Sequence, residues 1–276
     1  MSTPLRRLQA VMTMAVIWGV PVPAQANEAG GTHAGPGADP GTGIPVFPVQ
    51  VIRRLPHDPT AFTEGLLFRD GVFYESTGLS GHSFIRKVSP ETGRTLGQSE
   101  IPDRHFGEGI VDWHDRLISV TWRSGNGYVW SLPGLKLRSH FHYDGEGWGL
   151  TRDAHSLILS DGTACLKRLD PETLFVVGKV CVSADGTPVN RLNELEYIHG
   201  EIWANIWMTP EIARIDPVTG QVKSWVDLTA LEEEVNLSDP DAVPNGIAYD
   251  SVGDRLFVTG KYWPIVYQIT IPDYKH

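Results

Sequence analysis

The chain has 276 residues, of which 41% are hydrophobic, so it is long enough and apolar enough to bury a sizeable core. Its 33 acidic residues outnumber the 23 lysines and arginines, which gives a formal net charge of −10. This balance argues against nucleic acid as a partner, because affinity for it depends on clustered cations that neutralise phosphates, and instead favours solubility.

Residues 1–26 have the pattern of a secretory signal peptide. Two arginines precede an apolar run over residues 8–22, and Ala24-Gln25-Ala26 is typical of a cleavage site. A signal anchor that stays in the membrane is the alternative, but the run is short for a span and contains a glutamine, a glycine and a proline. We therefore expect an exported protein, periplasmic or secreted, with no membrane attachment after cleavage and a mature net charge of −12.

Residues 27–44 are rich in glycine, proline and small polar side chains. Such a segment buries too little apolar surface to offset the entropy of ordering it, so we predict a disordered leader. The remaining residues, 45–276, are predicted to form a single domain.

This predicted domain contains a strand-opening signature that occurs five times, at intervals of roughly 40 to 50 residues, as in propeller blades. The copies are Thr63-Glu64-Gly65-Leu66, Gly107-Glu108-Gly109-Ile110, Gly147-Trp148-Gly149-Leu150, Asn193-Glu194-Leu195-Glu196 and Pro244-Asn245-Gly246-Ile247. A turn and an alternating strand follow, and three units carry a second turn with proline or glycine. Each unit is predicted to form four antiparallel strands, and five such sheets around an axis make an all-β, five-bladed β-propeller.

The two ends of the domain predict how the ring closes. The fifth unit ends at Tyr267–Ile271 without room for an outer strand, whereas a strand at Val49–Arg53 lies unassigned before the first signature. We infer that this N-terminal strand completes the last blade. A β-sandwich with irregular hairpins is the alternative, but a sandwich does not require a recurring strand-opening signature.

The two cysteines, Cys165 and Cys181, fall in one predicted blade, on either side of a turn near Glu172-Thr173. A hairpin there would place them opposite each other, and an oxidising compartment would then favour a disulfide. Two buried free thiols are the alternative. Neither cysteine is predicted to be catalytic, because no cationic or histidine side chain adjoins it in sequence.

The first strand of each propeller blade lines the central channel, so side chains at its mouth converge from all five blades. The predicted ring at this mouth comprises Glu64, Glu108, Trp148, Asn193 or Glu194, and Asn245. The turns after the second strands predict another ring, made by Thr121-Trp122, Asp161-Gly162, Asn205-Ile206-Trp207 and Gly260-Lys261-Tyr262-Trp263. Concave sites where polar groups converge in this way are typical binding sites.

Tryptophans have two possible roles in this architecture. Packing between blades is the interpretation for Trp113, Trp130, Trp203 and Trp225. We instead expect Trp122, Trp148 and Trp207 in the pocket. A carboxylate among such rings loses solvation, so its pKa rises and it can shuttle protons near neutral pH. Glu108, which follows Phe106-Gly107, is the best candidate.

Several reaction types lack their sequence signals. The chain has no Gly-x-Ser-x-Gly elbow, no His-Glu-x-x-His helix and no phosphate-binding glycine loop. Among ten histidines, only His140 and His142 share a strand face, and we do not predict a metal site there. No cofactor is expected.

A set of motifs in a fixed order resembles the plant-type and bacterial glutaminyl-peptide cyclotransferases over nearly the whole mature chain. The runs are Phe62-Thr63-Glu64-Gly65-Leu66, Phe106-Gly107-Glu108-Gly109, Thr121-Trp122, Gly147-Trp148-Gly149-Leu150, Leu192-Asn193-Glu194-Leu195-Glu196, Asn205-Ile206-Trp207 and Pro244-Asn245-Gly246-Ile247-Ala248. The resemblance implies a five-bladed propeller that converts an N-terminal glutaminyl residue of a peptide to pyroglutamyl, with loss of ammonia and without a catalytic metal.

The resemblance also implies roles for residues at matching positions. Glu108 falls on the family's catalytic acid, and Lys261 is expected to stabilise charge or orient that acid. The implied substrate-binding positions are Phe62, Glu64, Phe106, Trp122, Trp148, Asn193 and Trp207. Many relatives carry glutamine where this chain has Glu64, so a second acid beside Glu108 is a departure from the family pattern.

Two other functions fit parts of the pattern. A calcium-dependent propeller lactonase would use Glu64, Asn193 and Asn245 as ligands, although calcium prefers oxygen ligands to tryptophans and six blades would be usual. A non-catalytic periplasmic propeller would use the aromatic residues to bind a peptide or sugar. Under the cyclotransferase hypothesis, the expected partners are N-terminal glutaminyl peptides or proteins, and the protein is expected to be a monomer.

Overall fold

The computed structural model describes residues 43–272. Within this range the chain is almost entirely β-strand, with five sheets of four or five strands, a two-stranded hairpin, a short α-helix and one 3-10 turn. The predicted signal peptide and residues 27–42 of the predicted leader lie outside the described residues, so both stay predictions. No helix in the described range has the length and apolar content needed to cross a bilayer.

The sheets follow one another along the chain as the predicted blades, each ordered from an innermost to an outermost strand. Two strands come first, β1 (Val46–Pro48) and β2 (Gln50–Pro56). Blade 1 contains β3 (Thr63–Arg69), β4 (Val72–Thr77), β5 (Phe84–Val88) and β6 (Thr95–Glu100). After the 3-10 turn Pro102–Arg104, blade 2 contains β7 (Gly107–Trp113), β8 (Arg116–Thr121), β9 (Asn126–Ser131) and β10 (Leu137–His142).

The second half of the chain repeats this order. Blade 3 contains β11 (Leu150–Arg152), β12 (Leu157–Leu159), β13 (Cys165–Leu169) and β14 (Val176–Cys181), followed by the hairpin β15 (Ser183–Ala184) and β16 (Thr187–Pro188). Blade 4 contains β17 (Leu192–Ile198), β18 (Glu201–Ile206), β19 (Glu211–Ile215) and β20 (Val222–Asp227), followed by helix α1 (Thr229–Val235). Blade 5 contains β21 (Pro244–Asp250), β22 (Arg255–Gly260) and β23 (Ile265–Thr270). The five-bladed propeller is therefore confirmed.

The N-terminal strand closes the ring as predicted. Strand β2 pairs antiparallel to β23, with Gln50 opposite Thr270 and Leu55 opposite Val266. One feature was not predicted: β1 pairs in parallel with β20 and adds a fifth strand to blade 4. The segment before the first signature thus covers the outer edges of two neighbouring blades, which satisfies backbone groups that an open edge would expose.

The signature glycines have a steric explanation. A Cβ on Gly109 would lie 2.5 Å from the backbone nitrogen of Leu150, and one on Gly149 would lie 2.1 Å from the backbone oxygen of Asn193. The innermost strands of adjacent blades approach so closely that only glycine fits between them. The repeated glycine therefore reflects the narrow radius of a five-bladed ring.

The core is divided among the spaces between adjacent blades. Five clusters of buried apolar side chains each combine residues from two neighbouring sheets. Trp130 lies between blades 1 and 2 and Trp203 between blades 4 and 5, and both are fully buried, as predicted. Because every interface is apolar, each blade is held by both of its neighbours.

The predicted disulfide is confirmed. Cys165 and Cys181 lie directly opposite each other on β13 and β14 of blade 3 and are bonded. The bridge joins the two outer strands of this blade, far along the sheet from its innermost strand. It therefore crosslinks the two outer strands of the blade and does not line the channel.

Candidate active site

The innermost hairpin of each blade explains why the two predicted rings of residues meet. Its strands are antiparallel, so the start of the first lies beside the end of the second, at one mouth of the channel. Backbone bonds make this contact: Trp122 N donates to Phe106 O at 3.1 Å, and Trp207 N donates to Arg191 O at 2.9 Å. Signature residues and turn residues therefore face the same space, which we call the upper mouth.

The upper mouth holds a cavity of about 330 Å³. All nine residues predicted to be catalytic or substrate-binding line it: Phe62, Glu64, Phe106, Glu108, Trp122, Trp148, Asn193, Trp207 and Lys261. Leu79, Asp241 and Tyr262 complete the lining. Residues that lie up to 199 positions apart in sequence are thus brought to one site by the propeller fold.

The polar part of this cavity is a pair of buried carboxyl groups. Glu64 and Glu108 lie at the start of β3 and β7, in adjacent blades, and their side chains hydrogen-bond to each other. The Lys261 ammonium donates to Glu64 Oε1 at 2.7 Å, and Asn245 Nδ2 donates to Glu64 Oε2 at 3.0 Å. Within the described range no lysine or arginine forms an ion pair with Glu108. Two acids therefore share one cation, and that cation binds Glu64.

The charge imbalance decides which acid keeps a proton. Burial raises the pKa of Glu108 well above its ordinary value, and the charge of Glu64 raises it further, against the opposing effect of Lys261. Burial also raises the pKa of Glu64, but Lys261 and Asn245 oppose that rise through direct contacts. The pair thus retains one proton near neutral pH, and we assign it to Glu108.

Two groups of aromatic rings form the walls around this pair. On one side Phe106 contacts both Phe62 and Trp122, with ring centroids 5.9 and 5.5 Å apart. On the other, Trp148 meets Trp207 edge to face at 5.6 Å. These rings remove water from the carboxyl groups and leave a slot with apolar sides.

The cavity also contains polar groups that are open to a ligand. Asn193 is only 3% exposed, and its side-chain oxygen has no hydrogen-bond partner within the described part of the chain. The indole N–H of Trp148 is already used, because it donates to Glu146 at 2.9 Å. The indole N–H groups of Trp122 and Trp207 donate to no other described residue. A buried amide oxygen without a partner costs free energy, so Asn193 is well placed to accept a hydrogen bond from a polar ligand.

The sequence left open whether Asn193 or Glu194 faces the mouth, and the structure selects Asn193. A register shift in β17, between Leu192 and Leu195, turns Glu194 into the channel. There its two oxygens accept hydrogen bonds from the backbone N–H groups of Leu66 and Ile247, at 3.2 and 2.8 Å. Glu194 thus links three blades beneath the site.

Several other members of the predicted rings do not line the cavity, among them Asn245, Asp161 and Trp263. Asn245 lies behind Glu64 and supports it. Asp161 forms an ion pair with Lys167 at 2.9 Å instead. Trp263 is fully buried and donates its indole N–H to the backbone oxygen of Ala242, so it is a packing residue. The ring prediction was wrong for these positions because strand direction locates a turn but does not orient each of its side chains.

Two of the lining residues, Leu79 and Asp241, were not predicted from the sequence. Leu79 follows β4 as Trp122 follows β8, so the same hairpin rule applied to blade 1 would have found it. Tyr262 belongs to the second predicted ring and lines the cavity, where the centroids of its ring and that of Phe62 are 5.1 Å apart. Asp241 lies in the loop before β21. No local pattern distinguishes it from the acids around it, so only the tertiary structure identifies it.

The contacts of Glu64 bear on the calcium-site alternative. Its two oxygens accept hydrogen bonds from an ammonium and an amide N–H, so both are directed at donors rather than at open space. Calcium is bound by oxygen atoms, and a neighbouring Lys261 ammonium repels it. In the described residues no group of three or more His, Cys, Asp and Glu side chains is arranged to hold a metal ion.

The opposite end of the channel, the lower mouth, holds a larger cavity of about 510 Å³. Its acid Asp112 accepts hydrogen bonds from Arg69 Nη1 at 2.7 Å and from Arg152 Nε at 2.8 Å. Burial raises the pKa of Glu196 in this cavity to about 8. None of the predicted site residues lines it.

Comparisons with known proteins identify the family of this chain. A family model described as glutamine cyclotransferase matches residues 23–271. The glutaminyl-peptide cyclotransferase of Arabidopsis thaliana is 42% identical over 227 residues, which cover 81% of this chain and 71% of the relative. The crystal structure of glutaminyl cyclase from Myxococcus xanthus superimposes with a TM-score of 0.79 at 36% identity, over 83% of this chain and 98% of that one. The chain therefore belongs to the glutamine cyclotransferase family.

Proposed function

We propose that this protein is a glutaminyl-peptide cyclotransferase, an acyl-transferring enzyme that converts the N-terminal glutaminyl residue of a peptide to pyroglutamyl and releases ammonia. Family membership and the named relatives support this activity. The observation that carries the proposal is the buried Glu108, which retains a proton and stands without its own cation in an aromatic cavity open at one end. Such a group exchanges protons with a guest near neutral pH.

The cavity suits a glutaminyl side chain. Its volume of about 330 Å³ accommodates one residue with part of the next. The apolar stem lies between the Phe106–Trp122 wall and the Trp148–Trp207 wall, and the carboxamide N–H₂ donates to the unpartnered side-chain oxygen of Asn193. Exclusion of water by these rings limits hydrolysis of the amide to glutamate.

The reaction needs no protein nucleophile, because the substrate's α-amine attacks its own γ-carboxamide carbon. That amine is mostly protonated near pH 7. It reacts with the ionised fraction of Glu108, whose raised pKa makes it a strong enough base to take one proton from the amine. The new C–N bond then gives a tetrahedral intermediate. Glu108 returns its proton to the carboxamide nitrogen, the old C–N bond breaks and ammonia leaves. The second proton on the ring nitrogen leaves through Glu108 to the ammonia, so the products are the lactam and ammonium, and Glu108 is regenerated.

Negative charge develops on the γ-oxygen of this intermediate. The N–H groups of Asn193, Trp122 and Trp207 are available to it, whereas that of Trp148 is bound to Glu146. A preorganised donor at such an oxygen typically contributes about 3 kcal/mol of transition-state stabilisation. Lys261 adds a positive charge near the same point, 4.3 Å from the centroid of the Phe62 ring.

The role we propose for Glu64 differs from direct substrate binding. Its contacts to Lys261, Asn245 and Glu108 leave it occupied on both oxygens. It therefore fixes the lysine and sets the proton affinity of Glu108. Where relatives carry glutamine at this position, a neutral amide fixes the lysine without adding a negative charge.

The proposed enzyme is an exported protein. The disulfide between Cys165 and Cys181 suits an oxidising compartment, and the sequence before residue 27 has the pattern of a signal peptide. We propose that the mature enzyme acts as a monomer, in the periplasm or outside the cell, on N-terminal glutaminyl peptides or proteins.

The test is ammonia release from a glutaminyl dipeptide, measured by a coupled assay on wild type and on Glu108→Gln. The glutamine fits the same space but carries no proton to shuttle, so we expect kcat to fall by about 10²- to 10⁴-fold. Glu196→Gln is the matched control, since Glu196 is an innermost-strand acid with a raised pKa at the lower mouth. Near-normal turnover by Glu108→Gln would defeat the assignment.

The same assay separates the rival functions. A lactonase that depends on calcium would lose activity in strong chelator, and a binding propeller would release no ammonia from the wild-type protein. We expect release to continue undiminished with chelator present, because the proposed steps use only side chains of this chain.

A further inference from the structure

A charged pair beside the cavity, Arg123 and Glu146, connects two of the tryptophans that line it. Glu146 Oε2 accepts the indole N–H of Trp148 at 2.9 Å, and Glu146 Oε1 accepts the Nε–H of Arg123 at 3.1 Å. The guanidinium of Arg123 lies 3.9 Å above the ring of Trp122. One carboxylate thus connects an indole of blade 2 with an indole of blade 3. We call these four residues, Trp122, Arg123, Glu146 and Trp148, the rim cluster.

Glu146 is the only polar restraint on the Trp148 ring that the structure shows within the described residues. One face of the ring lies against Gly162, where a Cβ would be 2.7 Å from the indole, and Trp207 meets it edge to face. Apolar contacts of this kind permit sliding and tilting, whereas a hydrogen bond from the indole nitrogen selects one orientation. The Glu146 bond therefore decides how Trp148 presents its face to the slot.

The charge of Glu146 also reaches the proposed proton shuttle. It contributes to the raised pKa of Glu108, after the larger effects of burial and Glu64. A neutral residue at position 146 would make ionisation of Glu108 easier. Geometry and electrostatics thus both connect Glu146 to the site, although it does not line the cavity.

The chain contains a chemical duplicate of this arrangement elsewhere. Glu172 Oε1 accepts the indole N–H of Trp113 at 2.9 Å and the Nη2–H of Arg116 at 2.8 Å. None of these three residues lines the upper cavity. A tryptophan–glutamate–arginine cluster is therefore a structural device that this propeller uses twice, and only one copy touches the pocket walls.

We propose that Glu146 is a positioning residue for the cyclisation reaction, which orients Trp148 and Trp122 at the substrate slot. The inference rests on the proposed function. It predicts that the two copies of the cluster respond differently to the same substitution, because only the rim cluster is connected to the substrate slot.

The experiment compares Glu146→Ala, Glu146→Gln and Glu172→Ala in steady-state ammonia release from a glutaminyl peptide across pH. Loss of a hydrogen bond to a charged group predicts that Glu146→Ala raises KM by about 10-fold or more. Glu146→Gln keeps an acceptor for the indole, so it restores KM but moves the pH limb that belongs to Glu108 to lower pH. Glu172→Ala leaves both KM and the pH profile at wild-type values.

A second readout does not depend on activity. In indole ¹H–¹⁵N spectra, Glu146→Ala shifts the Trp148 and Trp122 resonances, and Glu172→Ala shifts only that of Trp113. A wild-type protein that releases no ammonia would overturn the proposed function, whatever the spectra show. Wild-type activity with unchanged KM, pH profile and indole resonances in Glu146→Ala would overturn the positioning role alone.

Discussion

The two mouths of the central channel are built from the same five innermost strands, but different groups surround their buried acids. At the lower mouth Asp112 is bound by two arginines, Arg69 and Arg152. At the upper mouth two acids share the single ammonium of Lys261, and Glu108 has no cation of its own in the described structure. The lower cavity is the larger of the two. Cavity size therefore does not distinguish the candidate active site, whereas an uncompensated acid among aromatic rings does.

A third region shows that burial alone does not explain the difference. Glu75 is as fully buried as Glu108, but His57 and Arg86 contact it and lower its pKa to about 2 despite the opposing effect of burial. Matched cations keep Glu75 ionised, whereas Glu108 has no such partner and is a candidate for proton transfer. The predictions below test this contrast, beginning with the largest expected effect.

Lys261→Met should cause the largest loss among the variants that test this contrast, because it removes the only lysine or arginine that lines the upper cavity in the described residues. Both carboxyl groups then gain proton affinity, and the developing charge on the substrate loses a partner. We expect kcat/KM to fall by about 10²- to 10³-fold. Arg69→Gln, which removes a cation from the lower mouth, is the control and should leave kcat/KM unchanged. Equal losses in the two variants would contradict the contrast between the mouths.

Asn193→Ala should have the next largest effect. Its side-chain oxygen is buried without a partner, so we expect it to accept a hydrogen bond from the substrate, while its N–H₂ group donates to the γ-oxygen as charge develops there. The expected fall in kcat/KM is about 10- to 100-fold, measured against wild type with one glutaminyl peptide. A matching rise in KM with unchanged kcat would instead indicate ground-state binding only.

Glu64→Gln should change the pH profile more than the maximal rate. The charge of Glu64 raises the pKa of Glu108, and its removal also leaves Lys261 facing Glu108, so the pKa of Glu108 falls. The limb of kcat/KM that belongs to Glu108 therefore moves to lower pH. Repeating the profile with a peptide whose α-amine has a different pKa identifies this limb, because the other one follows the amine. An unmoved limb would contradict the shared proton.

His57→Gln should affect stability and leave the chemistry nearly intact. Burial would lower the pKa of His57, but contact with Glu75 raises it above 6.5 overall. A raised pKa adds stability that is complete below pH 6.5 and is lost as the pH rises through the folded-state value. We expect the variant to be about 1–3 kcal/mol less stable at pH 6. In denaturant titrations, the difference in unfolding free energy between the variant and wild type should become smaller as the pH rises past the folded-state pKa of His57.

The acid side of the same network has the opposite sign. The lowered pKa of Glu75 adds stability that is present above its ordinary value of 4.5 and is lost as the pH falls towards about 2. Wild-type unfolding free energies measured from pH 5 downwards should therefore decline steadily. A flat profile over that range would contradict the charged state of this network.

Much of the architecture followed from the chain itself. The recurring strand-opening signature identified five blades, and four of its copies carry a glycine that the close approach of innermost strands favours. Unequal ends indicated that the first strand closes the last blade. The order of hairpin strands then placed Glu108, Trp122 and Trp207 at one mouth. Opposite positions in one hairpin predicted the disulfide between Cys165 and Cys181. Each of these inferences depends on local periodicity, which sequence records directly.

Other features were decided only in three dimensions. The register shift that turns Asn193 outward and Glu194 inward, and the burial of Trp263, depend on packing between strands from different blades. Likewise, the pairing of Lys261 with Glu64 rather than Glu108 joins residues at opposite ends of the domain. Sequence determined which strand ends and turns meet at the upper mouth, because strand direction is a local property. Tertiary structure determined which of them lack a partner, because charge compensation is a sum over neighbours that the chain order does not encode.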